Sequence, residues 1–285
     1  MSFYLILGLL FSTSALVYTV QRCALHYALL DTPNARSLHA MPVPRLGGLA
    51  FVSMSAWYLA YNQSEGMWFG ACVMALIGLW DDFKGLAAKP KLALQILVAI
   101  GIAISTVPLW AVPLVVFMLV GLVNTYNFVD GLDGYVVTQA IGFLGLAGYF
   151  FMQEGAIPEA VICMGLGSIL LGFLPFNLPK ASIFMGDGGS FFIGTLYGIL
   201  LLKLSALNLW AAGMLLVFSL PFGLDVVVTL YRRWRAGKPL LQAHREHLYQ
   251  RLHLAGYTVP QVLLLSIGLH AMLGALIVQG YNLWG

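Results

Sequence analysis

Four short stretches of this chain carry most of the residue types that do chemistry. Asp81-Asp82 closes an apolar run and is followed by Lys84, Lys89 and Lys91. Adjacent ionised carboxylates repel, and a divalent cation is the usual reason to keep them together. Hard oxygen donors suit Mg2+, with Mn2+ as the alternative, and Mg2+ typically takes one or two carboxylates plus phosphate oxygens. The plainer reading, of equal weight for this pair alone, is a solvated helix end balanced by lysines. Met185-Gly-Asp-Gly-Gly-Ser190 offers Asp187 as a metal ligand and exposed backbone N–H groups for an anion. Its plainer reading is a helix cap by Asp187 or Ser190, worth about 1 kcal/mol. In Asn124-Thr-Tyr-Asn-Phe-Val-Asp-Gly-Leu-Asp-Gly134, Asn124 and Asn127 lie one helical turn apart and Asp130 one turn further, a row able to read a polar ligand, with Asp133 just beyond. His244-Arg-Glu-His247 sets two histidines three apart: a metal pair, a phosphate donor in His247, or solvated loop side chains. Zinc would need further Cys or His ligands nearby.

The elements that must position these stretches are membrane helices. The chain has 285 residues, 60% hydrophobic and 9% charged, against roughly 25% charged in a soluble domain. Apolar runs recur along its whole length, which makes it an all-α polytopic membrane protein and a single integral-membrane domain over 1–285. Ten spans are expected, at 3–21, 46–62, 67–80, 92–107, 109–128, 135–152, 159–178, 190–204, 209–229 and 260–283. Pro108 and Pro113 make the boundary between the fourth and fifth the least sharp. The first run has no basic leader and no small-residue cleavage site, so it reads as a retained span. Cys23, Cys72 and Cys163 read as small buried hydrophobes. With a net charge of only +3, nucleic acid is not an expected partner.

Charge then orients the spans. Thirteen of the fourteen basic residues fall in segments 22–45, 81–91, 179–189 and 230–259, which alternation places on one side; Lys203 alone goes towards the other. By the positive-inside rule that side is the cytoplasm, with both termini outside. Every Asp maps to that same side, while Glu65, Glu154 and Glu159 sit in short outer loops. An Asp at mid-bilayer costs roughly 2.5–3.5 kcal/mol on the insertion scale, so aspartates gathered at helix ends on one face imply a site there.

Taken in order, these stretches resemble the polyprenyl-phosphate N-acetylhexosamine-1-phosphate transferases, glycosyltransferase family 4. The resemblance runs through Asp31-Thr-Pro-Asn-Ala-Arg36…His39, Pro44-Arg-Leu-Gly-Gly48, Asp81-Asp82, Lys89-Pro-Lys-Leu…Gln95, Asn124…Asp133-Gly, Met185–Ser190 and Pro221…Asp225. It implies transfer of a sugar 1-phosphate from a UDP-N-acetyl sugar to undecaprenyl phosphate at the cytoplasmic face of a bacterial inner membrane, releasing UMP, as the first membrane step of a surface polysaccharide. It implies Asp187 as the principal Mg2+ ligand, with Asp81 and Asp82 catalytic and near the metal, one of them deprotonating the lipid phosphate; direct attack and a covalent intermediate both stay open. It makes Lys89 a diphosphate contact and Asn127, Asp130 and Asp133 the nucleotide wall, Asp133 at the uracil. Arg36, Arg45, Lys91, Asn124 and His247 complete the expected substrate-binding set, and a homodimer is compatible with it. Two departures stand out: Ser37 follows Arg36 where many members have lysine, and His247-Leu-Tyr-Gln250 replaces a His-x-His-His run. The altered run and the short loops point to the branch using N-acetylated 6-deoxyhexosamines. Asp130-Gly-Leu-Asp133-Gly also resembles part of the CDP-alcohol phosphotransferase signature, but Tyr135-Val-Val stands where that signature needs Ala-Arg. The rival from another class is a transporter with a cytoplasmic metal or anion gate, which would need ionisable residues near mid-bilayer.

Overall fold

The computed structural model describes residues 3–33, 41–62, 67–239 and 244–284. Among them, helices α1 (Phe3–His26), α2 (Gly47–Tyr61), α3 (Met67–Lys84), α4 (Ala88–Thr106), α5 (Val112–Val129), α6 (Tyr135–Gln153), α7 (Ile157–Asn177), α8 (Gly186–Leu207), α9 (Leu209–Arg235) and α11 (Val259–Trp284) occupy the ten places expected for spans. Eight of these are long and apolar enough to cross a membrane. The other two are α2, whose 15 residues reach only roughly 22 Å at 1.5 Å per residue, and α3, which carries Asp81, Asp82 and Lys84 in its last turn.

The loops hold structure that the hydropathy pattern does not signal. A two-residue antiparallel pair, β1 (Leu30–Asp31) with β2 (Val43–Pro44), ties down the segment after α1. A short helix, α10 (Leu248–Leu254), lies in the basic segment, and α9 runs on to Arg235 instead of stopping at 229. Between α4 and α5, Pro108 leads into a 3-10 turn at Leu109–Ala111, and Pro113 sits in the first turn of α5, where its missing N–H costs nothing.

Helix α8 is the axis of the bundle. Every residue from Gly188 to Leu201 is buried, as expected of a helix apolar on all sides. It packs against α3 and α5 most extensively, and also against α2, α6 and α9. Glycines set how close those neighbours come. A Cβ at Gly78 of α3 would collide with the backbone of Asp187, and one at Gly194 of α8 would sit 2.6 Å from the Val123 Cα of α5. Close approach of backbones is what small residues in membrane bundles permit. The segment before α2 also docks on α8: Phe184 N donates to Pro44 O, Gly47 N to Phe184 O and Gly48 N to Met185 O, at 2.8–2.9 Å.

The bundle has two polar ends. At one, the ends of α3, α5 and α9 meet the starts of α4, α8 and α10. At the other, Lys203 pairs with Glu159 at 3.3 Å, and Glu154 accepts from Asn208 Nδ2 at 2.7 Å and Tyr281 Oη at 2.5 Å. Tyr281 is near the end of α11, so the C-terminus lies at this second end. Helix α1 starts there too, since its last turns reach the first end, where Gln21 Nε2 donates to Ser182 O at 2.9 Å.

Candidate active site

The site assembles around the first turn of α8. Helix starts leave N–H groups without intrahelical partners, and here a carboxylate from another helix takes them. Asp82 Oδ1 accepts from Asp187 N at 2.9 Å and its Oδ2 from Gly188 N at 3.1 Å. The expected cap by Asp187 or Ser190 does not form; Ser190 Oγ turns instead to Asp187 O at 3.3 Å. Because Asp82 holds these amides, the helix begins at Gly186, four residues before the expected span, and Gly-Asp-Gly-Gly forms its first turn. Gly186 has φ 73° and would bring a Cβ within 2.6 Å of Asp82 Oδ2. Only glycine meets both demands.

The cap frees the Asp187 side chain to face the end of the bundle. Its Oδ1 accepts from Asn127 Nδ2 at 2.8 Å, and Asn127 also reaches Ser190 Oγ at 3.2 Å. Lys91, in the first turn of α4, lies 3.7 Å from Asp187 Oδ2 and 2.6 Å from Asp81 Oδ2. Asp81 Oδ1 accepts from Leu86 N at 2.6 Å, which folds the α3–α4 turn back on itself. Four helices thus bring Asp81, Lys91, Asn127 and Asp187 to one point, with the Asp187 side chain about a third exposed.

Asp130 and Asp133 border this point without sharing its geometry. Helix α5 ends at Val129, so Asp130 leaves the helical face of Asn124 and Asn127. It is half-buried, and burial, with the Asp82 and Asp133 charges nearby, pushes its carboxyl up to about 8. Asp133 Oδ2 accepts from Ala181 N at 2.9 Å, tying the α5–α6 turn to the α7–α8 segment. Asn124 lies deeper and faces α4, donating to Gln95 Oε1 at 2.8 Å. Arg45 is half-buried with its charge in reach of Asp82, Lys89 is exposed at the start of α4, and Arg36 lies outside the described residues.

His247 is buried instead of sitting in an open loop. It is only 3% exposed and precedes α10, its Nδ1 lies 3.6 Å from Asp225 Oδ2, and its ring lies 4.8 Å from that of His244. Burial, with the His247 and Arg233 charges, pushes the His244 imidazole down to about 4. Tyr249 and Gln250, the two departures from the His-x-His-His run, hold this corner together. Gln250 Oε1 accepts from His247 N at 3.2 Å, and the buried Tyr249 donates to Phe128 O at 3.4 Å and presses on Gly131. Composition and spacing gave no sign of Asp225 as the contact of His247, or of Tyr249 as an anchor; the signals for Asp225 were a carboxylate near the end of an apolar run and its place in the Pro221…Asp225 stretch of the family resemblance.

Among the described residues, no cluster of three or more His, Cys, Asp or Glu side chains has the arrangement of a metal cage. Two carboxylates and an amide carbonyl, all hard oxygen donors, fit an ion that completes its shell with water and phosphate, as Mg2+ does. Lys91 stands between the carboxylates and offsets their repulsion.

The pattern of glycosyl transferase family 4 matches residues 65–205. A probable undecaprenyl-phosphate N-acetylglucosaminyl 1-phosphate transferase of Bacillus subtilis is 29% identical, the alignment covering 93% of this chain and 81% of that protein. A decaprenyl-phosphate N-acetylglucosaminephosphotransferase of Mycolicibacterium smegmatis is 32% identical over 86% of this chain and 74% of its own. An undecaprenyl-phosphate alpha-N-acetylglucosaminyl 1-phosphate transferase of Yersinia pestis is 27% identical over 97% and 84%. With aspartates gathered at one end of a polytopic helical bundle and relatives matched over most of their length, this chain belongs to glycosyl transferase family 4, as a membrane sugar-1-phosphate transferase.

Proposed function

We propose that this protein transfers an N-acetylhexosamine 1-phosphate from a UDP-sugar to undecaprenyl phosphate, releasing UMP. A phosphate oxygen of the lipid attacks the sugar-bearing phosphorus, and the bond from that phosphorus to the UMP oxygen breaks. The observation that carries the reading is the meeting of Asp81 and Asp187, from different helices, at the Lys91 ammonium. Such a point suits a diphosphate and an attacking phosphate, whose transfer depends mostly on positioning and charge stabilisation. A phosphate monoester has its second pKa near about 6, so the acceptor needs little help to ionise at neutral pH. Asp81 and Asp187, with Asn127 beside them, would hold Mg2+, which when bound would neutralise charge on the diphosphate. Asp82, with both oxygens on backbone amides, holds the α8 turn in place, while Asp81 faces the Lys91 ammonium beside the reacting phosphates. Lys91 and Lys89 meet the diphosphate, and Asp130 and Asp133 shape the nucleotide wall. The positive-inside rule puts this end in the cytoplasm, where UDP-sugars are made.

The relatives are named for N-acetylglucosamine, which puts UDP-N-acetylglucosamine first among donors and N-acetylated 6-deoxyhexosamines second. Membranes containing the protein should convert undecaprenyl phosphate and one of these donors to a lipid-soluble sugar diphosphate with release of UMP. Chelation should stop the reaction and added Mg2+ restore it. Asp187→Asn should abolish transfer while the protein stays in the membrane. No transfer from any UDP-N-acetylhexosamine, or near-normal turnover in Asp187→Asn, would refute the proposal.

A further inference from the structure

Asp225 and His247 form a buried pair. Asp225 Oδ1 is fully engaged: it accepts from Leu248 N at 2.7 Å, at the start of α10, and from Thr229 Oγ1 at 3.2 Å. Its Oδ2 is buried with no hydrogen-bond partner, and so is His247 Nδ1. These two atoms lie 3.6 Å apart, with their side chains 7% and 3% exposed. Burying an acceptor and a donor unpaired is costly, so two that face one another at this separation read as partners. Hydrogen bonds of this kind are often long without substrate and tighten when it binds.

The rest of the corner fixes the ring and points to its use. The His247 backbone is held by Gln250, and its ring lies near those of His244 at 4.8 Å, Tyr249 at 6.1 Å and 8° from parallel, and Phe128 at 6.2 Å. Phe128 follows Asn127 and precedes the Asp130 turn, and Tyr249 bonds to its carbonyl. His247 therefore stands beside the wall already described. Nearby, Arg233 is spent on Glu246 and on Pro239 O, and Lys238 also pairs with Glu246, so Asp225 is the carboxylate that faces the ring.

We propose that Asp225 is a positioning residue: it holds the His247 imidazole by Nδ1, leaving Nε2 to donate to a phosphate oxygen of the nucleotide-sugar donor. The inference rests on the transferase reading above. With the carboxylate holding one ring nitrogen and the other turned to the phosphate, the pair binds the diphosphate without taking part in bond breaking.

The test is a double-mutant cycle on the full protein, read as donor KM and kcat. Asp225→Asn keeps an oxygen for Leu248 N and replaces the one facing His247 by an amide that cannot accept. It should raise donor KM by about tenfold, the value of one charge-assisted hydrogen bond, with a smaller change in kcat and an unchanged thermal midpoint. Asp225→Glu, which keeps the charge, should retain most of the donor affinity, and it carries the same cycle if the Asn variant accumulates poorly. In a His247→Ala background neither substitution should weaken donor binding further, an outcome that a merely structural Asp225 would not give. Losses that multiply in the double variant, or wild-type KM in Asp225→Asn, overturn the inference while leaving the transferase reading intact. Absence of transfer by the unmodified protein overturns both.

Discussion

Asp81 and Asp82 are neighbours of one residue type, yet the structure separates their work. Asp82 spends both oxygens on the amides of Asp187 and Gly188, whereas Asp81 meets a side-chain ammonium. Asp82→Ala should therefore leave two helix-start donors unpaired and destabilise the protein by about 2–3 kcal/mol, with activity falling in step because Asp187 is no longer held. Asp187→Asn should cost activity with little change in stability, since its side chain supports no helix start. Thermal unfolding of the two purified variants, set against their turnover, checks the contrast: equal stability in both would remove the capping role from Asp82. The acidic residue types of the site were legible in the sequence, because a carboxylate near lipid needs a reason. Which one caps and which one faces solvent was not, since that depends on where α3 meets α8.

At the scale of elements, the contact between α3 and α8 decides the geometry. Gly78 lets α3 lie against the backbone of Asp187, and backbone atoms cannot move aside as a flexible side chain can. Gly78→Ala should push the helices apart, at a cost of about 1–3 kcal/mol, and uncouple Asp82 from the α8 amides. Gly101→Ala, in α4 where nothing lies within 4 Å of the new methyl, should be neutral or add up to about 1 kcal/mol through helix propensity. Activity and melting of the pair in detergent test this; loss of function in both, or in neither, would show that the approach at Gly78 is not what sets the site. The ten helices were readable from apolar runs, within a few residues at most ends. The exceptions have physical causes: α8 starts early because Asp82 caps it from outside, and α10 forms in a polar segment because Asp225 of α9 takes its first amide.

For the whole molecule, the Asp, Glu, Lys and Arg side chains among the described residues gather towards two ends that the lipid core divides, while His270 lies midway along α11 against Phe218 and Phe222. The site end holds Asp81, Asp82, Asp130, Asp133, Asp187, Asp225 and His247. The far end holds the small pairings of Glu154 and Glu159. A gated transporter needs such groups in between, and this distribution speaks against it. Membrane-impermeant labelling in a background with the three native cysteines replaced should leave Lys84→Cys protected in intact cells and modify Gln153→Cys. Both positions are exposed at opposite ends of the bundle, so labelling of Lys84→Cys from outside would reverse the orientation and turn the site away from its nucleotide donor.

Residue types and their order were enough to establish a polytopic helical membrane protein, an acidic and basic site at one end of it, and its family resemblance. These follow from the cost of placing charge in hydrocarbon and from apolar run length, which are local properties of the chain. Only the tertiary structure decided how the polar groups divide their tasks. Asn124 faces Gln95 while Asn127 faces Asp187; Asp133 ties down a neighbouring turn; His247 lies buried against Asp225. Each of these pairings joins residues more than twenty positions apart, and each is set by the rotation and approach of packed helices. Spacing along one helix cannot encode that, because it depends on what the facing helix leaves room for.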